Sequence, residues 1–312
     1  MFDSQNTEAL RRSELWSSQL KETLQDEFQA TGYVDWLSEF PDGDTFTIPS
    51  IGDAEVDDYA EGESIKYRAM DTGEFQFSIN KYKSSGTYIY DKSKQDGYYM
   101  DQLVAGFVPK QERAIMGAVE SDILGLQSQQ TSANLNVING ANHRFVGSGT
   151  NEIMDVKDFA LARYALKKAN VPDTNLIAIV DPSVEFAMNN ITNITNMSNN
   201  AQWEGIVSDG ISTGMRFMKN IYGFDVYVSN YLSDANETIN GKTTEAGKAN
   251  LFFSAAQDVL PFKGAWRQMP EVEFIRDGDK KRDKYNTTAR YGVKLYRPEN
   301  LVTVLTDTDQ VS

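Results

Sequence analysis

The sequence predicts an α+β fold on three observations. Residues 42–91 alternate apolar and polar side chains between Gly and Asp turns. Leu176-Ile-Ala-Ile-Val180 is a short uninterrupted apolar run, and the stretches around 103–126 and 156–166 repeat apolar residues at spacings of three and four. Alternation marks half-buried strands, a short apolar run marks a strand covered on both faces, and the wider spacing marks one face of a helix.

From Ser4 to Ala30, Leu10, Trp16, Leu20, Leu24 and Phe28 form one amphipathic stripe, with Gly32 as a stop signal. Such a helix could pack on its own domain or reach over a neighbour, and the sequence leaves both open. Thr45–Ile48, Ser64–Arg68, Glu74–Ile79 and Thr87–Tyr90 then read as strands of an extended, two-faced hairpin. A hairpin is marginally stable alone, so this one needs a partner surface.

Lys94–Gln130 reads as helical, with Leu103, Val104, Phe107 and Val108 before Pro109 and Ile115, Val119, Ile123 and Leu126 after it. Pro109 predicts a kink, or a helix that restarts with proline in its first turn. A helix over Asp155–Ala169 ends at Asn170-Val-Pro-Asp173. After strand 176–180, Asp181-Pro-Ser caps a helix over Val184–Asn190. Strands Phe224–Val228 and Asn250–Ser254 complete an α/β unit. Val272–Ile275, Thr287–Tyr296 and Leu301–Leu305 are the closing strands.

Composition narrows the function. At 312 residues the chain can bury a large core, and it has no cysteine, so disulfides, thiolate metal sites and thiol nucleophiles are excluded. The single histidine, His143, lies in Gly140-Ala-Asn-His-Arg-Phe-Val-Gly147 and is read as structural, because one imidazole cannot build a His metal cluster. A formal net charge of −15 disfavours nucleic-acid binding as the main task, since that rests on cationic neutralisation of phosphates. It suits an enzyme, an acidic binding module, or a wall that encloses nucleic acid without adhering to it. No apolar run is long enough to span a bilayer, and Met1–Glu8 lacks a signal-peptide pattern, so a cytosolically made protein without membrane contact is expected.

No phosphate loop, zinc-protease helix, nucleophile elbow or dinucleotide fingerprint occurs. No catalytic residue, cofactor or metal site is therefore expected; the enzyme alternative would use a carboxylate such as Asp181 or Asp225 in a pocket. Asp53, Glu55, Asp57, Asp58, Glu61 and Glu63 form a dense acidic segment without calcium-loop spacing. Arg276, Lys280, Lys281, Arg282 and Lys284, with Arg290 beyond them, form a basic run in an otherwise acidic chain. Their opposite signs suggest that the two segments, from different subunits, lie against each other and fix register.

In this order the chain resembles the tailed-bacteriophage major capsid family, whose fold is shared with encapsulin shells and the floor of herpesvirus capsids. Phe159–Pro172 followed by Asn175–Glu185 looks like the family's helix, Val-Pro, buried strand, Asp-Pro, helix passage of the axial domain. Tyr222–Asn230 is similar to the strand returning across that domain, and Ala289–Val302 to the closing peripheral strands. The resemblance implies an N-terminal arm over 1–41 and an extended β-hairpin loop over 42–97. A long spine helix and peripheral domain would follow over 98–150, an axial domain over 151–266 and peripheral closing strands over 267–312. It implies a self-assembling subunit of an icosahedral or prolate capsid, made in the host bacterial cytoplasm and forming pentamers and hexamers around double-stranded DNA. Portal, scaffolding and decoration proteins are the further partners implied, with scaffolding as a separate protein. Some relatives crosslink through a lysine of the extended loop; Lys66, Lys81 and Lys83 lie there, without a surrounding motif that predicts the bond. An encapsulin-like compartment or a phage tail or adaptor protein is the structural alternative.

Overall fold

The computed structural model describes residues 28–37, 45–51, 58, 61, 64, 72–96, 100–130, 135–189 and 220–308. A 3-10 turn at Ala30–Tyr33 leads into β1 (Val34–Leu37), followed by β2 (Thr45–Ile51), β3 (Thr72–Ser78) and β4 (Lys81–Tyr90). Then come α1 (Asp91–Asp96) and α2 (Met100–Leu124), and the short strands β5 (Val137–Ile138), β6 (Ala141–Asn142) and β7 (Arg144–Val146). Next are α3 (Val156–Lys168), β8 (Leu176–Val180), α4 (Pro182–Asn189), β9 (Asn220–Ile221) and β10 (Phe224–Val228). The chain continues with β11 (Thr238–Ile239), β12 (Lys242–Thr243), β13 (Gly247–Ser254), β14 (Phe262–Asp277), β15 (Arg282–Leu295) and β16 (Val302–Asp307).

Two sheets organise these elements: a four-stranded one in the order β1-β14-β15-β4, and a six-stranded one in the order β7-β16-β13-β8-β10-β9. The six-stranded sheet explains the apolar run at 176–180. Leu176, Ala178 and Val180 pack with Phe159, Leu166, Val184 and Met188 of α3 and α4, while Ile177 and Ile179 face Val119, Ile123 and Leu124 of α2. A strand covered on both faces has no place for alternating polar residues. The second cluster also holds Phe253 of β13 with Phe262, Tyr291 and Leu295, so α2 sits where the two sheets meet.

Local signals hold where the sequence carries them. α3 opens on a capping box, Asp155 with Asp158, and closes where Asn170 takes a left-handed φ of 59°. α2 runs as one element through Pro109, so of the two expectations, a kink or a restart, the restart does not occur. The missing N–H leaves the carbonyl one turn earlier without its helical donor. β4 joins β15 in the four-stranded sheet, so within the expected 42–97 hairpin only β2 and β3 form a separate two-stranded ribbon. The closing segment 267–312 is shared between the sheets: β14 and β15 lie in one, while β16 pairs with β13 in the other. β1 runs parallel to β14, and Gly264 allows this approach: a Cβ there would meet the Trp36 ring at 2.5 Å, and Trp36 stacks on Trp266 at 5.0 Å. The N-terminal helix expected before Phe28 lies outside the described residues, as does the strand expected over 64–68 apart from Ser64.

Candidate assembly surface

β14 and β15 are 16 and 14 residues long, and their far end carries the basic run. They pair Asp277 with Arg282, Arg276 with Asp283 and Ile275 with Lys284 across a turn at 278–281. Directly opposed residues of antiparallel strands share a face, and this register decides which charges meet. On one face, Asp277 Oδ2 accepts from Arg282 Nε at 3.0 Å and pairs with Lys284 Nζ at 2.9 Å. On the other, Arg276 forks onto Asp91 of α1 at 2.5 and 2.6 Å and reaches Asp283 at 2.6 Å, where Lys94 also pairs.

These contacts set the titration of the tip. Lys284 and then Arg282 hold the Asp277 carboxyl well below the ordinary carboxylate range. Lys94 and Arg276 lower Asp283, Arg276 lowers Asp91, and Asp283 raises Lys94. Arg276, Arg282 and Lys284 are thus committed within their own chain. Lys280 and Lys281 are exposed at the turn and make no ion pair among the described residues. The counterions Asp91, Asp277 and Asp283 were missed by reading the run as a block of positive charge. The four-residue turn 278–281, with Lys281 at a left-handed φ of 48°, fixes the hairpin register, and a lysine in that place carries no turn signal in the sequence.

Of the acidic segment, Asp58 and Glu61 are exposed, and Asp53, Glu55, Asp57 and Glu63 lie outside the described residues. Among the described residues no ion pair joins Asp58 or Glu61 to the basic run. Aromatic side chains line the ribbon on the face of Asp277: Tyr82 is 66% exposed, and the exposed Tyr88 and Tyr90 rings lie 5.3 Å apart. Arg282 sits 4.7 Å over the Tyr88 ring, joining the charged and aromatic parts of this face.

Asp181 and His143, singled out for chemistry, have local structural tasks. Asp181 accepts from the Ser183 N–H at 2.9 Å and hydroxyl at 2.5 Å, opening α4, while Asp225 lies on β10. His143 is buried with Nδ1 3.1 Å from the Ala141 carbonyl, and burial pushes its pKa down. Among the described residues no group of three or more His, Asp or Glu side chains could hold a metal ion. A cleft of about 310 Å³ beside Asn80, Lys81 and Asp122 is polar, and Lys81 and Lys83 both pair there with Asp122, at 3.3 and 3.6 Å.

The described residues thus present a ribbon with aromatic side chains on one open face, a charged tip and no convergent set of reactive side chains. The sequence profile of the family described as phage capsid protein matches residues 54–304, most of the length, and the chain belongs to that family. It is therefore a structural capsid subunit and not an enzyme, it associates with further copies, and its place is the virion capsid. Among solved structures, it is similar to one titled Mycobacterium phage Che8, with 19% identity, a TM-score of 0.69, and 93% of this chain and 96% of that chain covered. The capsid of cyanophage P-SCSP1u matches at 12% identity and a TM-score of 0.66, covering 93% and 91%. That of cyanophage Pam1 matches at 13% and 0.66, covering 96% and 97%. At these identities the likeness is one of fold. No curated protein matches the chain.

Proposed function

We propose that this chain is the major shell subunit of an icosahedral or prolate capsid, assembling as pentamers and hexamers around double-stranded DNA. The observation that carries the reading is the β4-β15-β14 ribbon, whose tip presents Lys280 and Lys281 beside exposed aromatic residues in a chain of net charge −15. A tip with two exposed lysines, unpaired among the described residues, is drawn on an acidic subunit to another copy, while the acidic remainder repels packaged DNA.

In this reading the four-stranded sheet with α2 forms the peripheral part and the six-stranded sheet with α3 and α4 the axial part. The acidic segment at Asp53, Glu55, Asp57, Asp58, Glu61 and Glu63 of one subunit faces Lys280 and Lys281 of the next. Arg276, Arg282 and Lys284 hold the tip in shape. Portal, scaffolding and decoration proteins are the further partners, and the subunit is made in the host bacterial cytoplasm.

A charge exchange tests the contact. Lys280→Glu with Lys281→Glu is expected to lower the yield of sedimenting assemblies at low salt, and adding Asp58→Lys and Glu61→Lys to restore it. If the reversal leaves the yield unchanged, the tip and the acidic segment do not meet.

A further inference from the structure

The sequence Ile-Asn-Gly occurs twice, at 138–140 and 239–241, and these hold the only two Asn-Gly pairs of the chain. Each pair is the two-residue loop of a hairpin: Ile138 pairs with Ala141 in β5-β6, and Ile239 with Lys242 in β11-β12. The backbone is left-handed throughout both loops, with φ of 50° and 80° at Asn139 and Gly140 and of 53° and 80° at Asn240 and Gly241. These are the signs of a type I′ turn, for which Asn-Gly is a favoured pair. All four residues are exposed.

The two asparagine side chains differ. Asn139 Nδ2 donates to the Lys168 carbonyl at the end of α3, at 2.9 Å, so its amide is tied to a neighbouring element. Asn240 has no such tether among the described residues. The side-chain bonds of its hairpin, Thr238 Oγ1 with Thr243 Oγ1 and Lys242 Nζ to the Gly147 carbonyl, lie outside the loop.

An Asn-Gly pair carries chemistry of its own. The glycine nitrogen attacks the asparagine Cγ and closes a five-membered succinimide, its proton leaving with the side-chain nitrogen as ammonia. Water then opens the ring at either carbonyl and leaves an aspartyl or an isoaspartyl residue. Glycine favours the step because it has no side chain to hinder the approach. Ring closure needs Cβ and the attacking nitrogen on the same side of the Cα–C bond, and a left-handed asparagine, with ψ of about +47°, holds them apart. The turn must therefore open first, and a tether on the amide opposes that opening.

We propose that Asn240 is a self-modification site, converted with Gly241 and water to aspartyl and isoaspartyl forms, while the Lys168 carbonyl protects Asn139. The consequence reaches the interior, because Glu237 leads into β11 and holds the buried Arg144. An isoaspartyl residue adds a backbone carbon that a two-residue turn cannot absorb. Conversion thus loosens the hairpin that presents Glu237 to Arg144.

The test is peptide mapping by mass spectrometry on the full chain, aged in mildly alkaline buffer, one sample folded and one in urea. In urea the two sites share the preceding isoleucine and the following glycine, and are expected to convert at similar rates. In the folded chain Asn240 is expected to convert about fivefold faster than Asn139, the difference one hydrogen bond makes to opening. Equal folded rates, or the reverse order, overturn the proposal. So does an Asn240 that stays intact in the folded chain long after the urea sample is converted. Isoelectric focusing gives a second reading on Asn240→Gln, whose longer side chain would have to close a slower six-membered ring. The acidic form that builds up in the wild type should be much reduced in that variant, and its appearance at an undiminished rate would reject Asn240 as the source.

Discussion

Glu120 of α2 holds Thr31 by two hydrogen bonds, from its backbone N–H at 3.0 Å and its hydroxyl at 2.7 Å. The same carboxylate accepts from the N–H groups of Gln29 and Ala30 at 2.7 and 2.6 Å, and the residue is fully buried. A single side chain thereby satisfies the backbone donors at the start of the 3-10 turn that feeds β1. Glu120→Ala strands those donors away from water and should cost about 3 kcal/mol, read as a lower urea midpoint. A loss within about 0.5 kcal/mol, the range of an ordinary surface change, would show that this junction contributes little to the fold.

Arg144 and Glu237 form an asymmetric pair. Arg144 is buried to 1% side-chain exposure and forks onto Glu237 at 3.0 and 2.7 Å, with Gln127 Oε1 at 2.6 Å, while Glu237 is 29% exposed. Removing Glu237 leaves a buried cation short of its counter-charge; removing Arg144 leaves a carboxylate that water can reach. Glu237→Ala should therefore cost about 3 kcal/mol and Arg144→Met distinctly less, in the same denaturation assay. The reverse ranking would contradict this picture.

The tip network has a pH signature. Because Asp277 is held below its unfolded value, its contribution is present above an unfolded pKa of about 4 and is lost as pH falls through the folded value. The melting temperature of the wild type should exceed that of Asp277→Asn at pH 6, and the gap should close as the solution is acidified below about pH 4. Added salt should narrow it, since these charges stand at the surface.

Asp158 carries the opposite sign. Burial raises its pKa although Oδ2 accepts from the N–H groups of Asp155 and Ser148, each at 2.9 Å, and Oδ1 has no partner. A raised carboxyl favours the fold below its unfolded pKa, and that advantage is lost as pH rises through the folded value. Asp158→Asn keeps an acceptor for the two N–H groups and removes the buried charge, so it should stabilise the protein at pH 7 by about 1 kcal/mol. The gain should shrink as the wild-type carboxyl protonates, which a melting series across pH would follow.

Much of the fold was readable because its signals are local. Leu176–Val180 could only be a doubly covered strand, Asp155 and Asp158 mark a helix start, and the alternation through Tyr88 and Tyr90 marks a one-sided strand. β14 was readable only over Val272–Ile275, because Pro270 and the register shifts break its alternation, although β15 holds it as a single strand. Glu120, the Arg144–Glu237 pair and the Asp91 partner of Arg276 stayed hidden for another reason. Their contacts join residues about 90 or more positions apart, and nothing in a helical Glu or a strand Arg announces a distant partner. The position of β16 beside β13 is equally a long-range choice. Of the candidate surface, the opposite charge of two segments was visible, but which lysines remain outward required the hairpin register.

The most direct test of the account is negative-stain electron microscopy with size-exclusion chromatography on the purified chain, alone and with candidate scaffolding protein. Closed shells, or rings of five and six subunits, are the predicted result. A species that stays monomeric under every condition, scaffold included, would contradict the claim that this ribbon and its tip exist to meet other copies.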